Sequence, residues 1–243
     1  MFPGIGTLLN VFTIIVGSIA GVFIGERLKE QTRNLVTDVL GLATILGATA
    51  AIIPLFKDQY LSKIPNGWST MPILAALLFG GILGSALRIE DRFEQLGVFL
   101  RGKFRSSQGT FVEGFLASSL LFVIGPLAIL GSISDGMSNG IDQLILKSIL
   151  DGFAAMAFAS SLGWGVAASA IPVALYQGIW TGIGYFLGNV MEPYQVDAMT
   201  ITGGLLLLGI ALRLLKIKNI AIGNLLPALF LAPIFALLFN SLI

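Results

Sequence analysis

Lys147 and Asp151 stand four residues apart in ILKSILDGFAAMAFASS, a stretch whose apolar residues continue to Leu162. That spacing puts both side chains on one face of a helix. If the helix crosses a bilayer, each charge costs about 2.5–3.5 kcal/mol at the centre, so such residues pair or face a polar interior. Two kinds of chemistry fit. Asp151 can act as a proton- or cation-responsive group, with Lys147 as its partner or as an anion contact, or the two form a buried pair that only locks helices together. Lys before Asp is the weaker order for an i,i+4 pair, so part of the charge is left for another helix to meet. Lys147 is nearer the end of the tract and can also snorkel outward. Ser148, Gly152, Ala155 and Ala159 form a small-residue stripe beside Asp151 that lets another helix pack close.

A second polar group surrounds Gly125-Pro126 in GFLASSLLFVIGPLAILGSISDG, residues 114 to 136. Proline cannot donate its backbone N–H and clashes with the preceding turn, so the spacing predicts a kinked or broken helix. Freed carbonyls at membrane depth need protein or a water-filled cavity around them. Ser118, Ser119, Ser132 and Ser134 flank the break and Asp135 follows it, as capping groups of a simple kink or as the lining of a solute or ion path. Asn10, Glu113, Gln177 and Asn224 each sit in or at the edge of an apolar tract, where an interhelical hydrogen bond is the competing role. Glu113 precedes the break by less than four turns. Pro227 and Pro233 are expected to kink the last tract near Asn224.

The chain has no Cys and no His. Zinc, copper, haem and iron–sulfur ligation through thiolate or imidazole is therefore not expected, nor is a His-dependent triad. No cofactor and no metal site is expected, and no enzymatic activity. Carboxylates, hydroxyls and carbonyls favour protons, hard cations or small polar metabolites over soft metals.

The elements that must hold these residues are read from the charges. Fourteen Lys and Arg and thirteen Asp and Glu fall mostly between long apolar tracts, and residues 5–25, 71–87, 198–212 and 221–241 are nearly uncharged. Crossing a hydrocarbon core takes roughly 20 such residues as helix. The expected fold is all-α, a polytopic transmembrane bundle forming a single integral membrane domain over residues 1–243. It has about eight spans, near residues 5–25, 39–56, 71–88, 111–131, 143–162, 169–190, 198–214 and 221–241. Only Gly163, Trp164 and Gly165 separate the fifth and sixth, so a re-entrant hairpin over 141–190 reads the same way. The start MFPGIGTLLN has no basic region, and the first tract reads as a retained span rather than a removed signal.

Basic residues orient the spans. Arg27, Lys29, Arg33, then Arg88, Arg92, Arg101, Lys103, Arg105, then Arg213, Lys216 and Lys218 all follow odd-numbered spans, whereas the opposite loops hold only Lys57 and Lys63. These eleven mark the cytoplasmic side of a cell (inner) membrane, with both termini outside the cytoplasm. Ile89, Phe93, Leu96, Leu100 and Phe104 predict an amphipathic interfacial helix between spans three and four. Trp68, Tyr60 and Tyr194 fall where aromatic anchors sit. The net charge of +1 gives no reason to expect nucleic acid as a partner.

Glycine recurs at four-residue spacing, at Gly17, Gly21 and Gly25, at Gly80 and Gly84, and at Gly184 and Gly188. Such stripes let helices of one chain, or of two copies in a homo-oligomer, approach closely. A shift of 163 residues lays Gly21-Val22-Phe23-Ile24-Gly25 over Gly184-Tyr185-Phe186-Leu187-Gly188 and Gly41-Leu42 over Gly204-Leu205. In the expected topology the matched spans run in opposite directions, which predicts an inverted repeat of the kind found in secondary transporters.

The stretches GTLLNVFTIIVGSIAG (6–21), FVEGFLASSLLFVIGPLAILGSISDG (111–136), LKSILDGFAAMAFASSLGWGV (146–166) and NLLPALFLAP (224–233) resemble the YqgA/YdfK-like family of bacterial inner-membrane proteins. The resemblance covers nearly the whole chain. It implies a multi-pass membrane protein with transport as the role to expect, and carries over no substrate and no site. The leading expectation is a transporter or ion-conducting protein for a small polar solute, hard cation or proton. A non-transporting assembly factor or sensor is the alternative, and it requires glycine stripes that face outward.

Overall fold

Without water to bond to, backbone N–H and C=O groups in a bilayer must pair within their own segment, so apolar tracts become helices. A computed structural model describes residues 2–65, 67–103, 109–188 and 190–242. The helices are α1 (Ile5–Gly25), α2 (Glu30–Ile52), α3 (Asp58–Leu61), α4 (Met71–Ala86), α5 (Ile89–Lys103), α6 (Phe111–Val123), α7 (Pro126–Gly136), α8 (Asp142–Leu162), α9 (Gly165–Ala168), α10 (Ala170–Leu187), α11 (Pro193–Leu214) and α12 (Pro227–Asn240). No strand occurs among the described residues. Phe104 of the amphipathic stripe and Arg105 of the basic loop lie outside them. Backbone packing divides the chain into two compact units, one of residues 1–40, 94–123 and 127–190, the other of residues 41–93, 124–126 and 191–243.

Among the described residues six helical segments are long and apolar enough to cross a membrane, or up to eight if each of two bent pairs forms one span. The pair α6 and α7 turns through 63°. Its cause is the expected one, since Pro126 begins the second half and Gly125 takes a φ of 141°, which side-chain-bearing residues avoid.

In the first unit the contacts along α8 fix directions. A side chain at Gly17, Gly21 or Gly25 of α1 would collide with the carbonyl oxygens of Gly152, Met156 and Ser160 in turn, so α1 and α8 run parallel, backbone against backbone. Gly114 of α6 packs on Leu162 at the far end of α8, and Gly131 of α7 packs on Leu144 near its start. The broken pair therefore spans the full length of α8 and counts as one crossing. Eight spans, the number the charge pattern predicts, is the upper end of the six to eight that the described helices allow. Segments 142–162 and 165–187 are each long enough to cross, so no hairpin is required there.

The second unit is built differently. Gly80 and Gly84 of α4 receive Ala228 and Asn224, which makes α4 and α12 antiparallel. Tyr60, Ile73, Ala76, Tyr194, Ala198 and Ala232 fill the core beside them. Tyr60 and Tyr194 are thus core residues rather than surface anchors. Tyr60 donates to the Ser69 carbonyl at 2.8 Å, and burial, reinforced by the nearby Asp197 carboxylate, pushes its phenol above the usual range. Pro227 starts α12 instead of kinking it, while Pro233 lies inside. On α5 the buried positions are Gly97 and Leu100, with Leu96 exposed. The stripe is turned from the expected one because Gly97 lies against Phe115 and Val112 of α6.

Helices α2 and α11 pack with Gly41 receiving Leu214 and Leu215, and Gly204 receiving Ala51 and Ile52. Each matched pair, 41 with 204, 51 with 214 and 52 with 215, is 163 residues apart. The same offset carries the first residue of α2, Glu30, onto the first residue of α11, Pro193.

Candidate functional site

Because α1 and α8 run in parallel register, Asn10 in the second turn of α1 comes level with the Lys147–Asp151 pair of α8. Asn10 is fully buried, Lys147 is 5% exposed and Asp151 8%. The Asn10 amide donates from Nδ2 to Asp151 Oδ2 at 2.9 Å. The Lys147 ammonium forms an ion pair with that same oxygen. The charge that an i,i+4 pair in this order leaves unmet is met by α1, as the sequence led one to expect. Lys147 does not snorkel. Asp151 lies one turn away on the same face, and pairing there avoids the cost of an isolated buried charge. The site is mid-helix, with Asp151 the tenth residue of the 21 in α8.

Asp135 has another occupation. Its Oδ2 accepts the backbone N–H groups of Gly4 at 3.2 Å and Gly6 at 3.0 Å. Helix α1 has no side-chain cap of its own, Gly4 being left-handed at its start, so the carboxylate of α7 satisfies orphan donors and meets the positive end of the helix dipole.

Of the serines expected to line the break, Ser118, Ser119 and Ser132 turn inward on their own helices, as does Ser148 of the stripe beside Asp151. They donate to the carbonyls of Gly114, Phe115, Ala128 and Leu144, four residues back in each case. Their protons are thereby engaged. Ser134 donates to the Gly140 carbonyl in the turn after α7. Glu113 is half-buried in the first turn of α6, where an acid favours the helix dipole. Asn224 belongs to the second unit. Its Oδ1 accepts the Glu90 N–H at 2.9 Å, while the Glu90 carboxylate accepts from Arg213 at 2.7 Å and from the Gly223 N–H at 2.6 Å. That knot ties the start of α5 to the end of α11 and the turn before α12, a structural role.

Gln177 of α10 is fully buried, and neither its Oε1 nor its Nε2 has a hydrogen-bond partner. Asn10 Oδ1 and Ser18 Oγ are unpartnered and buried as well. Sequence reasoning missed Thr7, Ser18 and Thr181. Thr7 and Thr181 approach to 3.4 Å between hydroxyl oxygens. The signal was there in the spacing, with Thr7 three residues before Asn10 and Thr181 four after Gln177, polar pairs on single faces of otherwise apolar helices.

A cavity of about 590 Å³ opens at this end of the unit, walled by Phe2, Pro3, Gly4, Thr7, Leu8, Gly178, Thr181, Gly182 and Tyr185. A smaller one, about 230 Å³, lies at the opposite ends of α1 and α8 beside Glu26, Arg33, Thr110, Ser160 and Ser161. Among the described residues no three acidic side chains gather as a metal site.

An all-helical membrane protein whose first unit buries a neutralised ion pair in the same bundle as amide atoms without partners is the class that fold and site define. The chain belongs to a family of proteins of unknown function, DUF554, whose model matches residues 5–237. It is 32% identical over 233 residues to the uncharacterized membrane protein YdfK of Bacillus subtilis, covering 94% of each chain. Against the uncharacterized protein YqgA of Escherichia coli it is 30% identical, again over 94% of each. No solved structure matches it.

Proposed function

We propose that this protein carries a small polar solute or ion across the membrane through the first unit, at the Asn10–Asp151–Lys147 cluster. One observation carries the reading. Buried amide atoms with no partner stand in the same bundle as a mid-membrane carboxylate, an arrangement whose cost in packing alone an apolar residue would avoid. The offset of 163 residues shared by the contacts of α2 and α11 supports an inverted repeat, with its two halves rocking about a central site. A scaffold or sensor that works through outward glycine faces is less well supported, because, of the striped glycines, Gly17, Gly21, Gly25, Gly80, Gly84 and Gly184 are taken up by packing inside their own unit, and only Gly188 has open space beside it.

Proteoliposomes loaded with a panel of ions and small metabolites test the reading. The Asp151→Asn variant, which keeps shape and removes charge, is expected to fold and to lose at least about tenfold in flux, the worth of one charge-assisted contact. Unchanged flux and pH dependence would make Asp151 a strut. The excess of basic residues after the odd-numbered spans supports an inner-membrane orientation with those loops on the cytoplasmic side and both termini outside. A Lys103→Cys variant of this cysteine-free chain is expected to resist an impermeant thiol reagent in intact cells, and labelling from outside would reverse the orientation.

A further inference from the structure

Two of the residues with unpartnered atoms in the first unit, Asn10 and Gln177, lie at about one depth, inward of a cavity. Helix α10 starts near α9, whose Gly165 packs on Phe111 and Phe115 of α6, at the end of α8 where Gly114 meets Leu162. It ends beside the start of α1, where residues 178–185 share a cavity wall with residues 2–8. The two helices are therefore antiparallel, with Thr7 and Thr181 as a matched pair. Asn10 on α1 and Gln177 on α10 each lie about one turn deeper than that pair. A solute in the cavity of about 590 Å³ meets Thr7 and Thr181 in its wall first. The amides come next, and then the ion pair to which Asn10 is bonded.

Charge balance selects what fits. Asp151 and Lys147 already neutralise each other. A cation bound at Asp151 would have to evict Lys147, and an anion at Lys147 would strip Asp151, each leaving a buried charge unpaired. The vacant bonding capacity is neutral and of mixed sense. Asn10 Oδ1 and Gln177 Oε1 accept, and Gln177 Nε2 donates. Buried groups of this kind are rarely left without partners, so a guest offering both donors and acceptors gains each bond in full.

We infer that Asn10, Gln177 and the Thr7–Thr181 pair bind a small uncharged solute of the primary-amide class, reached from the cavity at the start of α1. The inference rests on the transport reading only for its direction of travel, since binding can be measured alone.

Three probes of nearly one shape separate the charge classes: acetamide, acetate and acetamidinium. Saturation-transfer NMR on the purified full chain in detergent is expected to detect acetamide binding, with both ions weaker by about tenfold or more, the worth of an unpaired buried partner. Gln177→Leu should lower acetamide binding about tenfold. Gln177→Glu, a second variant of nearly equal size, should shift preference toward acetamidinium. Thermal melting identifies a variant that fails to fold, and the other then decides. If acetamide binds no better than the ions, or binds equally to the folded variants, the inference falls. Acetamide binding that depends on Gln177 without any solute flux in liposomes would uphold the site and sink transport. Ion flux that depends on Asp151 with no acetamide binding would uphold transport and reject the amide.

Discussion

Two helix pairs, α1 with α8 in the first unit and α4 with α12 in the second, use one packing device and enclose opposite interiors. Each places glycines four residues apart so that backbones touch, Gly17, Gly21 and Gly25 in one and Gly80 and Gly84 in the other. Beside α4 and α12 the core is alanine, isoleucine and tyrosine, and the Glu90–Arg213–Asn224 knot satisfies its polar groups. Beside α1 and α8 lie Lys147, Asp151, Asn10, Ser18 and Gln177, and the last three keep unpartnered atoms. Close packing therefore does not explain the polar interior. A unit needing only stability has a polar solution in which the buried side-chain atoms are paired, and the second unit has it.

The largest effect expected from this contrast is shared by the pairs. Gly21→Leu and Gly84→Leu each drive a side chain into backbone, which cannot swing aside, and each should cost about 3 kcal/mol or more, the upper range for overpacking. Gly47→Leu, where nothing lies within 4 Å of an added Cβ, is the control. Thermal unfolding in detergent reads all three, and equal melting of the Gly21 and Gly47 variants would show that α1 and α8 do not pack as described.

The next effect divides the units. Lys147→Met strands a buried carboxylate and should destabilise by about 3–5 kcal/mol, whereas the double variant Lys147→Met, Asp151→Leu should recover most of that. The double variant sharpens the comparison, since it makes the first unit resemble the second. It is expected to fold and to move no solute, and full flux in it would place the path elsewhere. In the second unit Glu90→Gln weakens two charge-assisted bonds and should cost about 1.5–3 kcal/mol with flux per folded molecule unchanged.

The smallest effect concerns Asp135. As a cap for α1, its change to Asn should cost about 1 kcal/mol and raise amide exchange at Gly6 while leaving Gln177-dependent binding alone. A flux loss as deep as that of the Asp151→Asn variant would move Asp135 from cap to path.

Sequence alone determined the apolar segments, the break and, apart from α5, the helix faces. Those properties are local. Apolar length sets which segments cross, Gly125-Pro126 ends a helix wherever it is placed, and a four-residue interval puts Lys147 beside Asp151 on any helix. The eleven basic residues that follow odd-numbered spans call for eight crossings, the upper end of what the described helices allow. What only the tertiary structure decided is which side chains meet. Asn10 reaches Asp151 across 141 residues of chain, Asp135 caps a helix 129 residues away, and Asn224 belongs to the second unit. The serines beside the break turned back on their own helices, although by type and place they matched the residues that did not. Interhelical register comes from many weak backbone contacts summed along glycine seams, no one of which is written in the spacing of a single polar residue. Sequence could therefore name Gln177 as a buried amide, and only the packed bundle could leave it without a partner.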